Sequence, residues 1–153
     1  MKRIVPVLLI LTLLLASCSG FSLFGFGDEP PPPPNSIEIV DFGIYDGNTL
    51  TLQTESVPKK LGTTFGFHFQ VTKPEGGQAN IRIITTSPGM INPAKKEVEF
   101  KTETTDTVQV GVQYNCLFTF EQEWEMVSGD WTLEVVAEDG SSAKKTFQVY
   151  NPQ

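Results

Sequence analysis

The feature that most constrains the fold of this chain is an alternation of apolar side chains with polar or small ones. It is clearest over residues 65–71, where Phe, Phe, Phe and Val occupy every second position, and it recurs at 97–101, 108–114 and 131–137. Successive side chains of a β-strand point to opposite faces, so this period predicts half-buried strands. About eight such strands separated by turns are typical of a β-sandwich. We therefore predict an all-β domain over residues 36–150, an immunoglobulin-like antiparallel sandwich, with a small β-barrel as the alternative.

Two Asp-Gly pairs predict where neighbouring strands are joined. Asp46-Gly47 and Asp139-Gly140 each favour a tight hairpin, because glycine accepts the positive φ that such turns require. The first hairpin would follow a strand over 37–45. In that strand the apolar phase changes near Val40, which predicts a β-bulge at this position.

The densest cluster of charge is an acidic stripe. Glu121, Glu123 and Glu125 alternate with Phe, Gln, Trp and Met side chains, and the segment 119–127 comes closest in this chain to a helix but suits a strand at least as well. On a strand, all three carboxylates would project from one face. Repelling charges of this kind protect an edge strand from pairing with another chain. The alternative interpretation is that the stripe, together with Trp124, binds a cationic protein partner.

Residues that could perform chemistry are few. His68 is the one histidine of the chain, and no Gly-x-Ser-x-Gly motif accompanies it, so we expect a solvated or hydrogen-bonded structural histidine and no catalytic residue. Cys116 is expected to be a small buried apolar group. With so few cysteine and histidine side chains we predict no metal site, and without a phosphate-binding glycine loop we predict no nucleotide or other small-molecule cofactor.

The N-terminus resembles a bacterial lipoprotein signal. Lys2 and Arg3 precede an apolar run over 4–15, and Leu15-Ala16-Ser17-Cys18 resembles a lipobox. The resemblance implies that residues 1–17 are removed and that Cys18 is acylated, which makes membrane lipid the first partner. Two or three acyl chains hold a protein stably at a bilayer, because each buried methylene contributes about 0.8 kcal/mol.

Residues 18–35 are predicted to be a linker. They include a Gly/Phe segment and five consecutive prolines over 30–34, which favour a stiff polyproline II spacer of roughly 15 Å. Ser19 stands where an aspartate is associated with retention of Gram-negative lipoproteins in the inner membrane. We therefore expect the periplasmic face of the Gram-negative outer membrane.

Charge excludes one class of partner. After removal of residues 1–17 the chain keeps nine basic and eighteen acidic side chains. Nucleic-acid binding requires clustered Lys and Arg, so we expect no nucleic-acid partner. A basic protein of the cell envelope suits an acidic domain better.

Four segments resemble a bacterial family of small exported domains of unknown function; these are 39–45, 61–69, 88–93 and 127–134. The resemblance implies a compact sandwich and no assigned activity. We therefore expect a lipid-anchored, non-catalytic binding or structural module. The alternative function is an inhibitor of basic envelope-directed hydrolases, such as lysozyme-like enzymes or proteases, and a hydrolase that uses His68 ranks last.

Overall fold

The computed structural model describes residues 36–153, and this part of the chain forms nine β-strands and one short 3₁₀ helix. The strands in chain order are β1 (Ser36–Asp46), β2 (Thr49–Leu52), β3 (Ser56–Pro58), β4 (Thr64–Thr72), β5 (Gln78–Asn92), β6 (Glu97–Gln109), β7 (Gln113–Thr119), β8 (Gly129–Ala137) and β9 (Ser142–Tyr150). The 3₁₀ helix covers Glu123–Glu125. The signal peptide, the lipidation site Cys18 and the linker predicted for residues 1–35 lie outside the described residues.

The strands form two sheets that enclose one core. One sheet has four strands in the order β2-β1-β4-β7, and the other has five in the order β3-β9-β8-β5-β6. All pairings are antiparallel except that of β3 with β9, which is parallel. The buried side chains of both sheets belong to one cluster, so the sandwich prediction is confirmed.

Both predicted hairpins and the predicted bulge are present. Asp46 pairs with Thr49 across the first Asp-Gly turn, and Val136 pairs with Ser142 across the second. In β1 the pairing with β4 skips Val40, whose side chain is half exposed. The bulge lets apolar residues before and after it face the core.

The strand predicted over 108–114 is wrong. β6 ends at Gln109 and β7 begins at Gln113, because the backbone reverses at Gly111, which has a φ of 81°. The Val112 N–H donates to the Gln109 carbonyl at 3.3 Å and closes the turn. Apolar residues stand at every second position on both sides of this turn, so the sequence pattern alone did not reveal it. A glycine with positive φ interrupts a strand.

Aromatic rings fill the middle of the core. Trp131 and Phe65 are 0% exposed, and their ring centroids lie 5.9 Å apart in an edge-to-face arrangement. Phe118 and Phe120 pack against both of these rings, and Phe147 packs against Phe65. The alternating residues of β4 and β8 thus meet between the sheets, as the period of two predicted. Within residues 36–153 no helix has the length and apolarity needed to cross a membrane.

Candidate functional site

The outer face of the four-stranded sheet contains a buried polar cluster around His68. His68 lies on the central strand β4, opposite Asp41 of β1 on one side and Asn115 of β7 on the other. Only 6% of His68 is exposed. Its Nδ1 lies 2.8 Å from Oδ1 of Asp41, but no hydrogen bond of acceptable geometry joins the two atoms.

Tyr45 completes the cluster. Its hydroxyl donates to Oδ1 of Asp41 at 2.6 Å, and its ring lies edge-on to the imidazole of His68 at 4.8 Å between centroids. Burial raises the pKa of Tyr45 above its ordinary value, and the Asp41 carboxylate raises it further. The phenol is therefore held protonated as a hydrogen-bond donor, which is the opposite of an activated nucleophile.

A pair of glycines on β1 and β4 allows the neighbouring strands to approach closely. Gly43 and Gly66 are cross-strand partners with φ values of 144° and 148°. A Cβ on Gly66 would overlap the Cys116 carbonyl oxygen and would lie 2.9 Å from Leu117 Cα. Because the Tyr45 hydroxyl reaches Asp41, four residues back on β1, its ring spans the intervening Gly43.

The β1–β2 hairpin extends over this face and shapes a shallow cleft. Asn115 Nδ2 donates to Oδ1 of Asn48, at the hairpin tip, at 2.9 Å. The cleft has a volume of about 250 Å³ and is lined by Asn48, His68, Gln113, Tyr114 and Asn115. Its walls thus combine three carboxamides with one imidazole, a set that binds through hydrogen bonds rather than charge.

This cluster contains the functional residues that the sequence reasoning missed. His68 was expected to be hydrogen-bonded or solvated, whereas it is buried against Asp41 and Tyr45. The predicted bulge at Val40 could have indicated this contact, because the bulge moves Asp41 onto the polar face of the sheet, where His68 lies. Within residues 36–153 no hydrogen bond joins His68 to a serine, threonine or cysteine, so a Ser-His-Asp arrangement does not form there.

The second candidate surface is the free edge of the five-stranded sheet. β6 pairs only with β5 among the described strands, and nearly all of its 13 residues are exposed. The backbone N–H of Gln109 donates away from β5 to the Tyr114 hydroxyl at 3.0 Å, and that of Thr107 donates to the Asp106 carboxylate at 2.7 Å. Peptide groups alternate in direction along an antiparallel strand, so those of Thr105 and Glu103 also point outward.

Acidic and apolar side chains flank this edge. A depression of about 490 Å³ beside Thr105 is lined by Asp106 and Glu138, together with Asn80 and Thr107. Farther along β6, Phe100 is 57% exposed and lies over Gly89 of β5. Backbone donors, negative charge and an exposed aromatic ring therefore occur along one edge.

The acidic stripe is not a strand, and that part of the prediction is wrong. β7 ends at Thr119, and Glu123–Glu125 forms the 3₁₀ helix. Glu125 turns back so that its Oε2 accepts the backbone N–H groups of Glu121 and Gln122, at 2.7 and 2.9 Å. Its carboxylate caps the helix instead of standing in a row with the other two.

The remaining members of the stripe are separated by this turn. Glu121 and Glu123 are exposed, while Trp124 is half buried and packs against the core. Binding of a cationic partner by these residues stays a prediction. It would now depend on two carboxylates rather than on a continuous row of three.

Cys116 is buried as expected, with 1% of the residue exposed. Burial raises the pKa of its thiol to about 12, so the thiol is protonated at neutral pH. Among residues 36–153 no group of three or more His, Cys, Asp or Glu side chains is placed to hold a metal ion.

Comparison with known proteins agrees with this architecture. A sequence profile described as "Domain of unknown function (DUF3859)" matches residues 35–149. An immunoglobulin-like protein from Pseudomonas aeruginosa, known from its crystal structure, is 28% identical and superposes with a TM-score of 0.64, over 75% of this chain and 97% of that one. The predicted immunoglobulin-like fold is therefore confirmed.

One solved structure resembles this chain only weakly. A β-glucosidase from Listeria innocua in complex with isofagomine superposes with a TM-score of 0.38 at 10% identity, over 77% of this chain and 16% of that one. Among proteins with curated descriptions, none matches this chain.

Proposed function

This chain belongs to the family described as domain of unknown function DUF3859, and we propose that it is a non-catalytic binding module of the cell envelope. It recognises a basic protein partner by adding an extended segment of that partner to the free edge of β6. An immunoglobulin-like sandwich with a free edge strand can bind a partner by strand addition. In this mode main-chain hydrogen bonds supply affinity and side-chain pockets supply specificity.

The observation that supports this proposal most directly is the backbone at Thr105 and Glu103. Their outward N–H groups have no hydrogen-bond partner within residues 36–153, whereas the next two outward N–H groups, at Thr107 and Gln109, are bonded within the domain. Exposed edges of this kind are templates for another strand unless they are protected. The hydrogen bonds at Thr107 and Gln109 therefore limit the unprotected stretch of β6 at its C-terminal end.

Charge selects the class of partner. The depression beside Thr105 is lined by the carboxylates of Asp106 and Glu138, whereas Glu103 is already paired with Arg82 and Lys101. The whole chain has a formal net charge of −7. A partner segment with Lys or Arg near the position opposite Thr105 would be attracted to this edge and oriented by it.

Thr105→Pro should reduce partner binding at least about tenfold. Proline removes an outward donor and places its ring where the partner chain would pair, while the neighbouring N–H groups that bond to β5 remain. A photoreactive phenylalanine analogue at position 107, incorporated in living cells, would measure the yield of crosslinked partner. The captured segment should be rich in Lys and Arg.

Thr105→Val is the matched control, because it changes the same side chain and keeps the backbone donor. It should crosslink as well as the parent protein, and urea unfolding should show that both variants are folded. Equal capture by the proline variant, or no capture by the parent protein, would contradict strand addition.

The proposal places this module on a lipid anchor at Cys18, at the periplasmic face of the outer membrane. Cys18→Ala should abolish incorporation of labelled palmitate, because the thiol that carries the acyl chain would be absent. Cells labelled in parallel and separated into soluble and membrane fractions provide the measurement.

Cys116→Ala is the control for the anchor, because it removes the other cysteine of the chain. It should retain both the label and membrane residence. Lack of label in the parent protein, or label that persists without Cys18, would show that the anchor is elsewhere or absent.

A further inference from the structure

We propose that the cleft beside His68 is a second binding site, one that takes a single ring of an uncharged, hydroxyl-rich saccharide. This cleft lies on the four-stranded sheet, whereas the strand edge at β6 belongs to the five-stranded sheet. The two sites are therefore independent, and the saccharide site does not rest on the proposed partner of β6.

The lining residues determine the class of ligand. Asn48, Gln113 and Asn115 each offer an amide donor and a carbonyl acceptor, and His68 adds an imidazole. A sugar hydroxyl donates and accepts at once, so neighbouring hydroxyls match carboxamide side chains in both roles. The cleft is lined by no Lys, Arg, Asp or Glu, which leaves an anionic or cationic ligand without a counter-charge.

The nearest carboxylate is already engaged. Asp41 Oδ1 accepts the Tyr45 hydroxyl at 2.6 Å and lies 2.8 Å from His68 Nδ1. Asp41 is not among the residues that line the cleft, so we assign it no role in binding the sugar. The side chain of His68 is 8% exposed, so its ring is fixed before any ligand arrives.

The rim is also held in place. The 2.9 Å hydrogen bond from Asn115 to Asn48 fixes the tip of the β1–β2 hairpin over the sheet. His68 and Asn115 lie on paired strands, which gives the walls of the cleft a rigid spacing. A preorganised set of polar groups loses little side-chain entropy when a ligand binds.

The size of the cleft limits the ligand. Its volume of about 250 Å³ is below the range of roughly 300–1,000 Å³ that is usual for sites of drug-sized molecules. One sugar ring at the end of a chain fits this space, and the rest of the chain would extend into solvent. We therefore expect weak binding.

The single histidine of the chain makes the test simple. In the full-length lipidated protein, purified in detergent without a histidine tag, the His68 Cε1–H group gives one imidazole signal in a proton–carbon NMR spectrum. Titration with triacetylchitotriose and with maltotriose should shift this signal saturably for at least one sugar. A response to the first alone indicates N-acetylated glycans, and a response to maltotriose indicates unsubstituted ones.

Asn115→Ala should weaken that binding about tenfold, because it removes one cleft carboxamide and releases Asn48. Asn80→Ala is the matched control, since Asn80 is an exposed, hydrogen-bonded asparagine on the other sheet. Thr105→Pro should also bind the sugar normally. No shift with either sugar at about 10 mM, or equal binding by Asn115→Ala, would overturn the proposal.

Discussion

Gly66→Ala is expected to destabilise the domain by about 4 kcal/mol, a large fraction of the stability of a domain of this size. The added Cβ would overlap the Cys116 carbonyl oxygen, and that oxygen belongs to the backbone of a paired strand. The φ of 148° is also a conformation that residues with a side chain rarely adopt. Urea unfolding followed by tryptophan fluorescence would measure the loss.

Gly47→Ala separates crowding from backbone conformation. Gly47 also has a positive φ, 58°, but a Cβ there would meet no atom within 4 Å. Its replacement should lower the free energy of unfolding by only about 1 kcal/mol, which is the cost of placing a residue with a Cβ in the left-handed conformation without a steric clash. If both variants were equally stable, close approach of β4 and β7 would not be the reason for glycine at position 66.

The sandwich could be predicted from the sequence because its strands alternate regularly and its hairpins contain Asp-Gly. β4 illustrates this: its four apolar residues over 65–71 are all 0% exposed. The bulge at Val40 was also predictable, since an extra residue in a strand shifts the phase of the apolar side chains. Alternation, hairpin turns and the bulge are local features of the sequence, so they could be predicted without knowing which strands pair.

The acidic segment could not be predicted in the same way. Alternation over 119–127 is compatible with a strand, but pairing ends after Phe120, whose N–H donates to the Thr63 carbonyl at 3.0 Å. Beyond that point the Glu125 side chain satisfies two backbone donors and closes a 3₁₀ turn. Side-chain capping competes with strand formation, and periodicity does not report which of them prevails.

The polar cluster depends on register between strands. Asp41, His68 and Asn115 are far apart in sequence and meet because β1 and β7 both pair with β4. Alternation placed His68 on the polar face of its strand but did not show which residues of β1 and β7 would lie opposite it. The sequence places Tyr45 in a strand but does not show that its hydroxyl reaches Asp41, four residues earlier on the same strand.

Trp131→Ala is expected to cost about 4 kcal/mol, for two separable reasons. The indole is fully buried and packs against Phe65, Phe118 and Phe120, so truncation leaves a large cavity. Its Nε1–H also donates to the Val127 carbonyl at 2.8 Å and fixes the chain that follows the 3₁₀ helix. Thermal unfolding monitored by circular dichroism would give the total.

Trp131→Phe resolves the two contributions, because phenylalanine keeps most of the aromatic packing and lacks the N–H donor. It should cost about 1–2 kcal/mol, and much of that would reflect the unpaired carbonyl of Val127. Trp124→Ala should cost less than Trp131→Ala, since Trp124 is only half buried. If Trp124→Ala were the more damaging change, the segment around the 3₁₀ helix, and not the centre of the aromatic core, would hold the sandwich together.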